Sequence, residues 1–206
     1  GRIAERSELL FAVGDGNHSL AAAKNVWDGI KNTLSQEAQA AHPARFAMVE
    51  IENIRDDALI FAPIHRVLYG FDGDDLLPEL EAYAVRKGWT LAGAEDAHGI
   101  AVAYEGKEVK LNIGQTGEPL AVGALQTFLD EWMQHKPGLR LDYVHGEEAA
   151  RALSAEKDTV AFLLPAMHKS ELFPAVEALG TLPHKTFSMG EAHEKRYYLE
   201  ARRIQP

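Results

Sequence analysis

The sequence predicts an α/β or α+β fold, a mixed sheet with flanking helices. Three observations predict it. Short apolar runs of strand length alternate with segments whose apolar residues recur at helical spacing. Of the 206 residues, 46% are apolar and 25% charged, a balance that supports a buried core and excludes a disordered or collagen-like chain. The stretch from Ile100 to Ile113 carries the turn chemistry of a β-hairpin. Alternation of this kind implies a sheet containing both parallel and antiparallel pairs.

The elements follow in order. Leu9–Val13 is an apolar run of strand character. Gly14-Asp15-Gly16-Asn17-His18-Ser19 then supplies residues that tolerate positive φ or cap helices, and Leu20 to Leu34 continues in helix formers. Strand, tight loop and helix are expected there, making a strand-loop-helix site near the N-terminus. Phe46–Ile54 alternates well enough for a second strand. Leu76, Leu77, Leu80, Tyr83 and Ala84 share one helical face, and Gly88 stops the helix. Ile100–Tyr104 and Val109–Ile113 form the hairpin around Glu105-Gly106-Lys107. Leu120–His135 is an apolar helix closed by Pro137-Gly138. Strand 141–144, helix 147–153, strand 159–164 and helix 170–179 follow, with a last strand over 196–204. No low-complexity linker or internal repeat interrupts the chain. One domain, 1–206, is the simplest organisation. An apolar run so close to Gly1, without a strand before it to pair with, is expected of a fragment of a longer chain lacking its N-terminal part.

Composition restricts the function classes. Twenty-one Lys plus Arg against 31 Asp plus Glu leave a net charge of -10, which repels a polyanion, so no nucleic acid partner is expected. The absence of cysteine excludes disulfides, thiolate metal sites and a Cys nucleophile. No apolar run approaches the roughly 20 residues needed to cross a bilayer. A cytoplasmic protein without a membrane partner is expected, with a homo-oligomer as one option. Nine histidines without HExxH spacing give no dedicated zinc signature. Asp72-Gly73-Asp74-Asp75 lacks the final glutamate of a calcium loop and reads as an acidic helix cap.

Three stretches carry chemistry. A glycine-bearing turn into a helix exposes backbone N–H groups where the macrodipole is positive, an arrangement suited to phosphate or carboxylate. There Gly14, Gly16, Asn17 and Ser19 form a cradle, Asp15 acts as a metal-orienting or general-base carboxylate, and His18 works as an acid/base or phosphoryl contact. The bland alternative makes Asp15 and Asn17 turn formers, Ser19 a cap and His18 a neighbour's hydrogen-bond partner. In Pro63-Ile64-His65-Arg66, His65 is a second titratable group and Arg66 a planar fork of donors matched to an oxyanion. Its bland counterpart is an arginine paired with a carboxylate and a histidine at a strand end. Pro183 to Gly190 places Lys185, Thr186 and Ser188 in a stretch without periodicity, where an ordinary surface loop is the default.

Val13-Gly14-Asp15-Gly16-Asn17-His18-Ser19-Leu20-Ala21, Pro63-Ile64-His65-Arg66-Val67 and Pro183-His184-Lys185-Thr186-Phe187 resemble, in order, the motifs of the bacterial and archaeal family catalogued as domain of unknown function 1015. The likeness runs from about Leu9 to Ile204. That family has no established activity, so the resemblance implies a location and not a reaction. Many members carry Asp-Gly-His-His-Arg where this chain has Asp15-Gly16-Asn17-His18-Ser19. The loop is similar, more distantly, to the phosphate-contacting Gly-x-x-Arg loop of the ParB, sulfiredoxin and free-serine-kinase superfamily. Here Ser19 stands at the arginine position and Asn17 at the first histidine, which removes one cation and one metal ligand unless Arg66 or Lys185 replaces the charge.

The leading expectation is binding of, or catalysis on, a phosphorylated small molecule or nucleotide at Asp15–Ser19. His65, Arg66 and Lys185 would be charge partners, and a divalent cation would accompany a nucleotide. A non-catalytic module that docks with its N-terminal part or another subunit is the second reading. A metal-dependent hydrolase with Asp15, His18 and His65 as ligands is the third.

Overall fold

In the computed structural model, residues 9–14, 16–91 and 97–190 are described. The chain divides into two compact units, one built on Phe61–Ser188 and the other on Leu10–Ile60 together with Met189, the last residue of the strand that ends the first.

The first unit is an antiparallel sheet with helices on its faces. Its strands are β1 (Phe61–Tyr69), β2 (His98–Tyr104), β3 (Lys107–Ile113), β4 (Arg140–His145), β5 (Thr159–Leu163) and β6 (Phe187–Met189). Their order is β3-β2-β5-β1-β4, and β6 also pairs with β1. The hairpin, the helices and the strand-helix-strand tail fall where the sequence predicts them. Glu105 and Gly106 take φ of 45° and 77° between the paired residues Tyr104 and Lys107, the two-residue turn whose twist suits a hairpin. Helix α3 (Gly73–Lys87) opens on Asp72, whose carboxylate accepts the Asp74 N–H at 2.8 Å, and ends at Gly88. The acidic Asp72–Asp75 stretch is therefore the helix cap expected of it.

The parallel pairs expected within the sheet require correction, because the four pairings β1·β4, β1·β5, β2·β3 and β2·β5 are all antiparallel. The physical reason lies in β4, α5 (Glu147–Leu153) and β5. These three do form a strand-helix-strand crossover with both strands running the same way. However, β1 lies between them, antiparallel to each. The alternation was a split β-α-β unit, not an adjacent pair.

Because it is central, β1 is covered on both faces, and Ile64 to Leu68 are all buried. Val67 packs with Ala103, Ala150, Ala161 and Leu163 on the α5 face. By strand alternation His65 shares that face, while Arg66 and Leu68 point to the opposite one. There α4 (Ala121–Met133) buries Leu125, Phe128, Leu129 and Trp132. Helix α6 (Leu172–Leu179) completes the unit after a single 3-10 turn.

The second unit holds α1 (Asn17–Ile30) and α2 (Gln36–Ala41). Neither strand expected here forms: Leu9–Val13 and Phe46–Ile54 have no sheet partner among the described residues. None of the described residues from Leu10 to Ile60 is buried. Leu10, Phe11, Met48 and Ile51 are 79%, 65%, 93% and 71% exposed. An apolar run makes a strand only where neighbouring strands take up its N–H and C=O groups and cover its side chains, and these runs lack both. The strand expected over 196–204 lies outside the described residues.

Candidate functional site

Gly16 turns the chain into α1 with φ of 77°, a left-handed conformation that a Cβ would strain. As the residue capping the helix it offers no side-chain oxygen. That turn also lacks an acidic residue of its own. Asn17, His18 and Ser19 occupy the first three helical positions and are exposed. The His18 side chain has no hydrogen-bond or ion-pair partner among the described residues. Gly14 backs onto the Met189 thioether, which a Cβ at that position would overlap. Asp15 lies outside the described residues.

The second motif is built differently from its sequence reading. His65 is 1% exposed, and its Nδ1 accepts the Leu164 backbone N–H at 3.1 Å. Nδ1 therefore holds the lone pair, and the neutral ring carries its proton on Nε2. Burial is the main cause lowering its pKa from the ordinary 6.5, so the fold holds it as a neutral hydrogen-bond acceptor. Arg66 is fully buried. Its Nη1 donates to the Ile64 carbonyl at 2.6 Å and the Lys185 carbonyl at 2.9 Å, its Nη2 to the His184 carbonyl at 2.8 Å, and its Nε to Gln126 Oε1 at 3.3 Å. Desolvation pushes its pKa down to about 10, and the group stays charged at neutral pH. The fork expected to grip a ligand's oxyanion grips backbone carbonyls instead. Neither an arginine-carboxylate pair nor a histidine at a strand end describes these two residues.

Arg66 joins the second and third motifs directly. The turn Pro183–Thr186 sits on its guanidinium through two carbonyls, and the Thr186 hydroxyl donates back to the Pro183 carbonyl at 2.6 Å. Lys185 takes φ of 53° and is exposed. Tyr143, the β4 residue paired with Arg66, receives the Arg66 guanidinium 4.8 Å and the Lys185 ammonium 4.7 Å from its ring centroid. The His184 ring meets it edge-on at 5.7 Å. Ser188 lies half-buried in β6. Sequence reasoning passed over Tyr143 and Gln126; only the β1–β4 register and the α4 packing bring them to Arg66.

Among the described residues no group of three His, Asp or Glu side chains gathers to hold a metal ion. No helix of the described residues is long and apolar enough to cross a membrane.

Three solved structures are similar at the level of the fold, each with a TM-score of 0.48. A conserved hypothetical protein from Pyrococcus furiosus is 21% identical, over 69% of this chain and 61% of its own. A free serine kinase in complex with AMP is 20% identical, over 68% of this chain and 58% of its own. A mutant free serine kinase in complex with AMP is 15% identical, over 83% and 80%. The chain thus spans 61% and 58% of the length of the first two. No curated protein matches. Residues 3–201 match the family described as "Protein of unknown function (DUF1015)", and the chain belongs to that family.

Proposed function

We propose that the protein binds a phosphorylated small molecule, a nucleotide in the first instance, at the turn that opens α1. The observation that carries this reading is the left-handed Gly16 at a helix start with no capping side chain and no acidic residue, beside the exposed His18 and Ser19. The N–H groups at the positive end of a helix favour an oxyanion. The Ser19 hydroxyl adds a donor. His18 supplies ring nitrogens that donate or accept a hydrogen bond. Asp15, next to this cradle in sequence, would orient a divalent cation accompanying the phosphates. If the site is catalytic, His18 and Asp15 are the groups that move the proton.

Isothermal titration of the full chain with nucleoside mono-, di- and triphosphates and sugar phosphates, with and without magnesium, tests this reading. Binding that is lost in His18→Ala and Gly16→Val supports it. Failure of every phosphate-bearing ligand to bind overturns it.

A second reading is favoured by the apolar exposure of the Leu10–Ile60 unit, where Leu10 and Met48 stand in solvent and no described side chain is buried. Contiguous exposed apolar residues of this kind mark surfaces that meet another polypeptide. In this reading the unit docks with a partner segment or subunit. Sedimentation velocity over a concentration series separates self-association from a surface awaiting a different chain.

A further inference from the structure

We propose that the surface formed by Lys185 and His184 beside Tyr143 is an anion site that takes the phosphate group of a small molecule. It stands on the sheet unit alone and does not depend on the turn before α1.

Two cations, the Arg66 guanidinium and the Lys185 ammonium, are gathered on the Tyr143 ring. Among the described residues, neither Arg66 nor Lys185 makes an ion pair with any Asp or Glu, although the chain carries ten more acidic than basic residues. Asp130 and Asp142 are held by other groups. Asp130 accepts the Gln126 amide at 2.8 Å. Asp142 accepts the Tyr143 backbone N–H at 2.8 Å and an Arg140 N–H at 3.3 Å. The buried guanidinium therefore donates only to neutral oxygens, while the Lys185 ammonium has the ring as its contact.

The turn is also fixed in an unfavourable backbone conformation. Lys185 is a non-glycine residue at φ of 53°, held there by the hydrogen bond from Arg66 to its carbonyl. Left-handed non-glycine residues persist only where the surroundings hold them, and they concentrate at binding sites. The consequence is a lysine and a histidine, adjacent in sequence, both turned to the same ring. An oxyanion there would accept from the Lys185 ammonium and from a His184 ring N–H, near the buried guanidinium of Arg66.

NMR titration of the full chain with inorganic phosphate and pyrophosphate, in a buffer free of other oxyanions, tests the proposal by following the His184, Lys185 and Thr186 amides. Shifts at those amides that saturate, weakened about tenfold by Lys185→Ala, kept by Lys185→Arg and unchanged by His18→Ala, are the expected result. Absence of saturating shifts, or shifts indifferent to Lys185→Ala, overturns it. Loss in His18→Ala with no effect of Lys185→Ala would leave the α1 turn as the phosphate site and remove this one.

Discussion

Arg66 Nη1 and the carbonyl of Lys185, 119 residues apart in the chain, meet at 2.9 Å. Two motifs that look like separate ligand contacts in the sequence are thereby one structural joint. The arginine lies in a central strand, and its planar fork reaches the backbone of His184, Lys185 and Ile64 together. A fork of donors satisfies several carbonyls at once, which a single ammonium cannot do.

This joint predicts the response to substitution at Arg66. Arg66→Met removes a buried charge and leaves three carbonyls short of a donor. Unsatisfied buried groups cost about 1–3 kcal/mol each, so a loss on the order of 3–5 kcal/mol is expected. Denaturant unfolding should show a lowered midpoint with unchanged slope. Arg66→Lys should recover only a minor part of the loss. A full recovery would show that charge alone, without the fork, holds the turn.

His65 predicts a pH dependence. Its folded pKa is lowered, chiefly by burial, so the unfolded chain binds its proton first as pH falls. The stability this residue contributes is complete above the ordinary value of 6.5 and is lost as pH drops through the folded pKa. The slope approaches about 1.4 kcal/mol per pH unit for one proton. Asp74, Glu79, Glu108 and Glu131, whose pKa values are lowered mainly by hydrogen bonds from Lys107, Lys136, Arg151 and Lys87, act in the same direction but at lower pH. Unfolding curves between pH 7 and 5 should therefore slope in the native chain and flatten in His65→Gln.

The sheet's elements were legible where local chemistry decides them: Asp72 before α3, Glu105-Gly106 in the hairpin, the apolar face of α4. What was illegible depended on neighbours. β1 reads poorly because His65 and Arg66 interrupt a strand buried on both faces, and only the Leu164 N–H, the Ile64 carbonyl and two distant carbonyls make those side chains suitable there. Leu9–Val13 and Phe46–Ile54 read as strands because apolar runs generally are, yet no described strand pairs with either. The candidate turn at Gly16 was visible in sequence, since glycine there answers a positive φ. Tyr143 was not, because nothing local marks an aromatic residue that collects two cations.

Gly73 shows how closely α3 approaches the sheet. A Cβ there would enter the Tyr104 ring, with the Tyr104 Cβ itself 2.7 Å away. Tyr104 Oη also donates to Asp74 Oδ1 at 3.0 Å. Gly73→Ala must displace the ring and should cost about 1–3 kcal/mol, as overpacking does. Pairing it with Tyr104→Phe in a double-mutant cycle should reveal coupling, since the displaced hydroxyl no longer reaches Asp74. Strict additivity would mean that α3 moves as a body and the ring stays in place.

The exposed apolar residues of the Leu10–Ile60 unit make the opposite prediction. Met48 and Ile51 are 93% and 71% exposed, so Met48→Lys with Ile51→Lys removes no packing and should change unfolding free energy by less than about 0.5 kcal/mol each. The same pair should lower binding of a hydrophobic dye and reduce any self-association, because both depend on that apolar surface. Substitutions at Leu125 and Phe128, buried in α4, provide the contrast, with about 2–5 kcal/mol expected for either truncated to Ala. Should the double lysine variant instead unfold the protein, the residues at 48 and 51 are packed in solution, and the docking reading loses the surface on which it rests.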